Sequence, residues 1–427
     1  MPYPPTISIP AATSSDHAQA LREVSNFATT DMGRPGAGPW TYRNISPTRI
    51  MGELTDMSDT QTTNHGVNAV SFQPCSPSIH QNQDRYIAES WDLADGTWLF
   101  NSVLDGHLNN STVDFVQRVL PRNIRHALQS VVSSSLNSLH PSQISQMLRN
   151  CIASTDDILA EDLYQRLAPD AASLSYLTDS DIRRILQADP SAFSAAARCL
   201  GGTTVVLSLT DPLRRNLWIA NLGGMPSSFE THEVLCSRSR TGAWTGRHIN
   251  EHHNAGINAA EAQRVHLAHP GEIQALQDGR ILGFLEPTRA LGDLWLKNPF
   301  MLRVLSNMNQ DWISPSSAME YKARMRTPPY VSNVADVHHL QPPNSACLLI
   351  LASDGLSSTE AYEDCSLNTA ATRWARAAGA GLSSPNVAVC VLRDALGGED
   401  IQQVSRNMTV EMDERWMDDI TIIVQHL

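Results

Sequence analysis

Between Trp98 and Asn110 the chain reads WLFNSVLDGHLNN. An apolar run of strand character (Trp98, Leu99, Phe100, Val103, Leu104) stops at Asp105-Gly106-His107, and polar turn residues follow at once. A carboxylate, a flexible backbone and an imidazole therefore stand where a buried strand surfaces. Such a place suits a metal ion, because the strand fixes the carboxylate while a glycine lets its own carbonyl turn towards the same ion. An Asp-Gly pair by itself is equally a hairpin turn. The repetition of the pattern is what constrains the fold.

Leu348 to Ala352 is a second apolar strand, ending at Ser353-Asp354-Gly355, and Ile420 to Val424 is a third, preceded by Asp418-Asp419. Upstream, Arg85 to Trp91 and Thr97 to Leu104 read as strands joined by the turn Asp92 to Gly96. Asp84 thus opens one strand and Asp105 closes its neighbour, and in an antiparallel pair those ends are adjacent. Carboxylates stand at strand ends at Asp84, Asp105, Asp354 and Asp418. Hard oxygen donors with no thiolate or ordered histidine pair select Mg or Mn over zinc. Four carboxylates and a backbone carbonyl are enough for two such ions. A pair of ions can share a water, lower its pKa and clamp the oxygens of a phosphoryl group during in-line displacement.

The composition agrees. A net charge of −13 and a pI near 5.5 argue against a general hold on nucleic acid or anionic lipid, which needs clustered Lys and Arg, and favour a divalent-cation site. No apolar stretch approaches the roughly 18 residues of a membrane span, so the chain reads as soluble. The seven cysteines are widely spaced with no CxxC pair, which disfavours a disulfide framework or a structural zinc. A reducing compartment follows, the cytoplasm first and the mitochondrion as the alternative.

Residues 1–66 are rich in Pro, Ser, Thr and Gly, with helical promise only from His17 to Phe27, and read as a flexible arm. Asp16, Glu23 and Asp31, with the first basic residue at Arg22, give a mitochondrial transit peptide little support. Ser111 to Val132 has helical apolar spacing with Ser111 as its cap. Ser142 to Ile152, Thr155 to Leu167 and Asp179 to Leu186 are further helices, making residues 133–197 a helical layer. Thr203 to Leu209 and Leu217 to Leu222 form a hairpin. His252, His253, His266 and His269 match no zinc spacing and read as surface histidines, some on a helix from Glu261 to Leu267.

The motifs in order carry a resemblance: Asn82 to Arg85, Val103 to His107, Gly201 to Thr204, Trp218 to Gly223, Leu285 to Asp293 (LEPTRALGD), Leu351 to Leu356 and Asp418 to Val424. Residues 67–427 resemble the metal-dependent serine/threonine phosphatases of the PPM type, also called type 2C. Within that family the likeness is to the branch of the mitochondrial pyruvate dehydrogenase phosphatase catalytic subunit, through the stretch from His253 to Pro270, Arg280 to Gly283, Pro287 to Ala290 and Thr327 to Tyr330.

The resemblance implies an α+β fold, a four-layer α-β-β-α sandwich with two central antiparallel sheets flanked by helices. It implies two Mn or Mg ions at one end, with Asp105 bridging both, the Gly106 carbonyl on one, Asp354 and Asp418 on the other side, and Asp84 holding metal-bound water. His107 would be the general acid that protonates the serine or threonine leaving oxygen, a role the near-neutral pKa of imidazole suits. The nucleophile would be the bridging water or hydroxide, and the partner a phosphoprotein.

The departures from the family pattern are specific. Gln83 replaces the usual Glu, Gly224 and Ser358 stand where two carboxylates of a third, weaker metal site belong, and no Arg lies between Arg49 and Arg85 to grip phosphate. Asn109-Asn110 replace small residues. Their sum implies that the third site is lost while the binuclear pair survives. An active phosphatase is the reading, with a pseudophosphatase that binds without turnover as the alternative.

Overall fold

The computed structural model describes residues 26–75, 81–134, 140–223, 231–249, 255–256, 258–308, 315–343, 347–362 and 365–427. Its strands are, in chain order, β1 Phe27–Thr30, β2 Trp40–Arg43, β3 Asp59–Thr62, β4 Val67–Phe72, β5 Asp84–Leu93, β6 Gly96–His107, β7 Gly202–Thr210, β8 Leu217–Leu222, β9 His232–Arg238, β10 Trp244–His248, β11 Leu276–Gln277, β12 Arg280–Ile281, β13 Leu291–Gly292, β14 Asp336–Leu340, β15 Cys347–Ala352 and β16 Ile420–His426. Two six-stranded antiparallel sheets dominate, one in the order β10-β9-β15-β16-β4-β3, the other β14-β8-β7-β6-β5 with β13 bonded to β7.

Period-two alternation explains the layers. On β6, Trp98, Phe100 and Leu104 face the helices, packing with Val113, Val116 and Leu120 of the helix Asn110–Ser134 and with Ile144 and Leu148 of Pro141–Leu167. Leu99 and Val103 point the other way, onto Leu349, Leu351 and Ile423 of the opposite sheet. Ile350 of β15 and Ile422 of β16 face the outer helices Leu367–Ala380 and Val387–Ala395 through Trp374, Val391 and Leu392. The result is the α-β-β-α sandwich. Where alternation puts polar side chains between the sheets they bond to one another: Asn101 Nδ2 donates to Gln425 Oε1 (2.8 Å), and Gln425 Nε2 to Thr210 Oγ1 (2.9 Å).

Three expectations need correction. The arm expected over residues 1–66 does not extend across its described part, 26–66. There β1 and β2 pair, the helix Ile50–Asp56 buries Ile50 and Leu54 in the outer core, and β3 forms a sheet edge on β4. Residues 1–25, with most of the expected helix from His17 to Phe27, lie outside the described residues. The anchoring partners are distant in sequence: Tyr42 packs on Val410 and Met412, and Arg43 N donates to Thr409 Oγ1 (2.9 Å). Local composition carries no trace of them.

The second correction concerns β6, which does not stop at Leu104 but pairs with β7 as far as His107 opposite Gly202, and the chain turns only at Leu108, φ 67°. The third is that the helices expected from Ser142 and Thr155 are one, Pro141–Leu167. Instead of capping a new start, the Ser154 and Thr155 hydroxyls both donate back to the Cys151 carbonyl (3.0 Å each). It is followed by Ala171–Leu174, Asp179–Ala188 and Pro190–Leu200, which share an apolar cluster with Trp295 and Met301. Among the described residues no helix is long and apolar enough to cross a membrane.

Candidate metal centre

Each sheet delivers two carboxylates to the same end of the sandwich. Asp84 and Asp105 sit directly opposite each other in the β5–β6 ladder, as their places at neighbouring strand ends predict. Asp354 begins the single 3-10 turn Asp354–Leu356 after β15, and Asp418 lies two residues before β16. The two chain segments are stitched together: Ser353 N donates to the Thr421 carbonyl (3.0 Å), and Thr421 N to Ser353 Oγ (2.9 Å).

The four groups act on one another electrostatically. Burial pushes the Asp84 carboxyl well up, with Asp419, Asp418 and Asp354 adding to it. Asp105 is raised by burial and then by Asp84, Asp418 and Asp419. Asp354 is raised by burial, by Asp105 and Asp418, and by donating a hydrogen bond to Asp105. Asp84 Oδ2 and Asp105 Oδ2 are buried without a hydrogen-bond partner. Such groups are costly unless a cation or proton meets them. Among the described residues no group of three or more His, Cys, Asp or Glu side chains is placed to hold a metal ion as it stands. The donor set, hard carboxylate oxygens with two left orphaned, nonetheless fits Mg or Mn.

Asp418 and Asp419 divide their work. Asp419 is buried and fixed, accepting from Gln73 Nε2 (2.7 Å) and from the backbone N of Gln83 (2.8 Å). Asp418 is half-exposed and carries the Arg415 guanidinium, which also stands 3.8 Å from Asp419. Gly106 is extended, not turned. A Cβ there would lie 2.6 Å from the Gln83 carbonyl oxygen, so the glycine lets β6 approach the segment that carries Asp84. Ser357 and Ser358, where the resemblance expects a carboxylate, brace the turn below Asp354: Ser357 Oγ donates to the Asp354 carbonyl (3.0 Å) and Ser358 Oγ to that of Gly355 (3.1 Å). Gly224 lies outside the described residues.

His107 ends β6 beside this cluster, its Nε2 2.8 Å from Asp293 Oδ2. Sequence reading gave Asp293 no role, although its motif was quoted. It also passed over Glu286, whose carboxyl is raised by burial and by Asp418, opposed by Arg280, and which in turn acts on Asp354. Among the histidines, His266 is exposed but His269 is buried, stacked on Tyr330 (4.3 Å between centroids) with Nδ1 2.8 Å from Thr327 Oγ1. It packs the core instead of decorating the surface. His252 and His253 lie outside the described residues.

Two antiparallel sheets between helices, with acids from both sheets at one end, are the frame on which the comparisons bear. The family model of protein phosphatase 2C matches residues 95–370, and the chain belongs to that family of metal-dependent protein serine/threonine phosphatases. A protein phosphatase 2C homolog of Schizosaccharomyces pombe is 24% identical over 420 residues, covering 90% of this chain and 88% of that one. The mitochondrial pyruvate dehydrogenase [acetyl-transferring]-phosphatase 1 of Saccharomyces cerevisiae is 23% identical over 331 residues, 73% of this chain and 52% of that protein. Its human namesake is 29% identical over 180 residues, 40% of this chain and 30% of that one. Among solved structures, serine-threonine phosphatase 2C from Toxoplasma gondii superposes with a TM-score of 0.51 at 13% identity, covering 86% of this chain and 98% of that one, a likeness of fold.

Proposed function

We propose that the chain hydrolyses phosphoserine and phosphothreonine in proteins with two Mn or Mg ions held by Asp105, the Gly106 carbonyl, Asp354 and Asp418, and with Asp84 acting through water. The observation that carries the reading is the pairing of Asp84 and Asp105 across β5–β6, each with a buried oxygen left without a partner, beside Asp354 from the other sheet, which is hydrogen-bonded to Asp105. The bound ions supply an activated water and neutralise charge on the phosphoryl oxygens. Asp105, at the end of β6 opposite Asp84, would be a carboxylate ligand to the ions. Asp84, held from behind by its backbone N–H donating to Asn82 Oδ1 (2.8 Å), orients water. His107 gives a proton to the departing serine or threonine oxygen. Balanced, a water oxygen bonds to phosphorus, the P–O bond to the side chain breaks with its electron pair on the leaving oxygen, and the products are inorganic phosphate and a free hydroxyl.

The test is release of phosphate from a phosphothreonine peptide by purified protein with Mn, with Mg and with chelator, beside Asp105→Asn and Asp354→Asn. Chelator-sensitive release that both substitutions abolish is the expected result. Folded protein that releases no more than its variants at millimolar Mn overturns it. The names of the pyruvate dehydrogenase phosphatase relatives support that phosphorylated enzyme as the first substrate to try, and support a mitochondrial site of action. A fluorescent fusion checks the latter; a diffuse cytoplasmic signal contradicts it.

A further inference from the structure

Asp293 is wholly buried yet sits in the left-handed region, φ 48° and ψ 35°. Among residues other than glycine, Asn and Asp enter that region most readily, and they do so one at a time. Asp293 is held there deliberately. Its backbone N donates to the Gly201 carbonyl (2.8 Å), and the preceding Leu291-Gly292 pairs with Thr203 and Gly202 of β7. From behind, Asp156 accepts from Gly292 N (2.8 Å) and from Lys297 Nζ (2.6 Å), and Lys297 also donates to the Ala290 carbonyl (2.7 Å).

The outcome of this scaffolding is one contact, Oδ2 to His107 Nε2, while Oδ1 has no partner. A carboxylate serving only to tie a loop down would use both oxygens. Room for the contact comes from a third segment. Gly202 faces His107 across β6–β7 and Gly292 across β7–β13. A Cβ on Gly202 would stand 2.1 Å from Asp293 Oδ2 and 2.3 Å from His107 Nε2. Any larger residue would occupy the place of the hydrogen bond itself.

We propose that Asp293 is a positioning residue for His107, with Gly202 the gap that admits the pair. In that pairing Nε2–H donates to Asp293 Oδ2, which leaves Nδ1 as the nitrogen that hands a proton to the leaving oxygen. Asp293 touches neither substrate nor ion; it fixes which face of the ring is presented. The proposal rests on the reading of His107 as general acid.

The experiment compares Asp293→Asn, His107→Gln and the double variant on a phosphothreonine peptide, whose leaving alkoxide needs a proton, and on p-nitrophenyl phosphate, whose leaving group does not. Asp293→Asn is expected to lower kcat on the peptide about 10²-fold with KM nearly unchanged and to spare p-nitrophenyl phosphate. The double variant should be no worse than His107→Gln, because the two act as one unit. Equal losses on both substrates, or additive losses in the double variant, overturn the proposal. If His107→Gln itself shows no preference between substrates, the general-acid reading fails and this falls with it. If only Asp293→Asn lacks the preference, this alone fails. A second measurement needs no variant of Asp293: ¹⁵N-histidine NMR of the Mg-loaded protein, with His107 assigned by its loss in His107→Gln, should show a hydrogen on Nε2. A ring with its hydrogen on Nδ1 alone contradicts the proposal.

Discussion

Three acids of the centre, Asp84, Asp105 and Asp354, are more basic than free aspartate, chiefly through burial, and this has a sign. In the ion-free protein Asp84, Asp105 and Asp354 hold protons that the unfolded chain has already released above its ordinary value of 3.8. The folded state then binds more protons than the unfolded one, so ion-free stability falls as pH rises from about that point. A cation must displace these protons, so apparent Mn affinity rises with pH and binding releases protons. Calorimetry at two pH values, in buffers of different ionisation enthalpy, checks both. At the same scale Gly202→Ala should reproduce the substrate preference of Asp293→Asn, read as the ratio of peptide to p-nitrophenyl phosphate turnover. The four aspartates were legible because each stands beside a strand the sequence announces. Asp293 was not, because Gly292-Asp293 looks like any turn and its partner lies 186 residues away.

Among elements, the helix Ala259–Ala268 shows how the segment leading to Asp293 is held. Burial alone would raise the Glu261 carboxyl, but donation from Arg289, Arg264 and Thr288 outweighs it and holds the group far below the usual carboxylate range. Arg289 donates to it twice, Nε at 3.0 Å and Nη2 at 2.8 Å, both side chains being nearly buried. Glu261→Gln leaves a buried guanidinium short of its counter-charge and is expected to cost about 3 kcal/mol, measured by urea denaturation. The stability Glu261 contributes is complete above its ordinary value of 4.5 and is lost as pH falls towards the depressed one. Strands, hairpin and long helices were readable from periodicity. The elements between residues 26 and 66 were not, since each has only four to seven residues, β1 and β2 pack on residues near 410–416, and β3 is a wholly polar edge strand on β4. Leu54→Ala, costing about 2–5 kcal/mol in a thermal or urea melt, would show that this region belongs to the core.

On the scale of the whole molecule, the N-terminal sheet braces the route into Asp418. Thr41 accepts from Glu411 N (2.9 Å), and Trp40 and Tyr42 pack with Met412 and Trp416. Deletion of residues 1–66 should therefore weaken metal affinity as well as stability, seen as a smaller rise in melting temperature on adding Mn. In the intact protein that rise reflects about 2.7 kcal/mol at a hundred times Kd. The split origin of the carboxylates has a further meaning. Asp84 and Asp105 ride on one sheet, Asp354 and Asp418 on the other, and between them lies the layer of Leu99, Val103, Val206, Leu349, Leu351 and Ile423. The proposed ion centre would thus be a caliper closed across that layer. A cavity cut there, as by Val206→Ala, changes the gap the jaws must span, so ion affinity becomes a gauge of core packing at residues that never touch an ion.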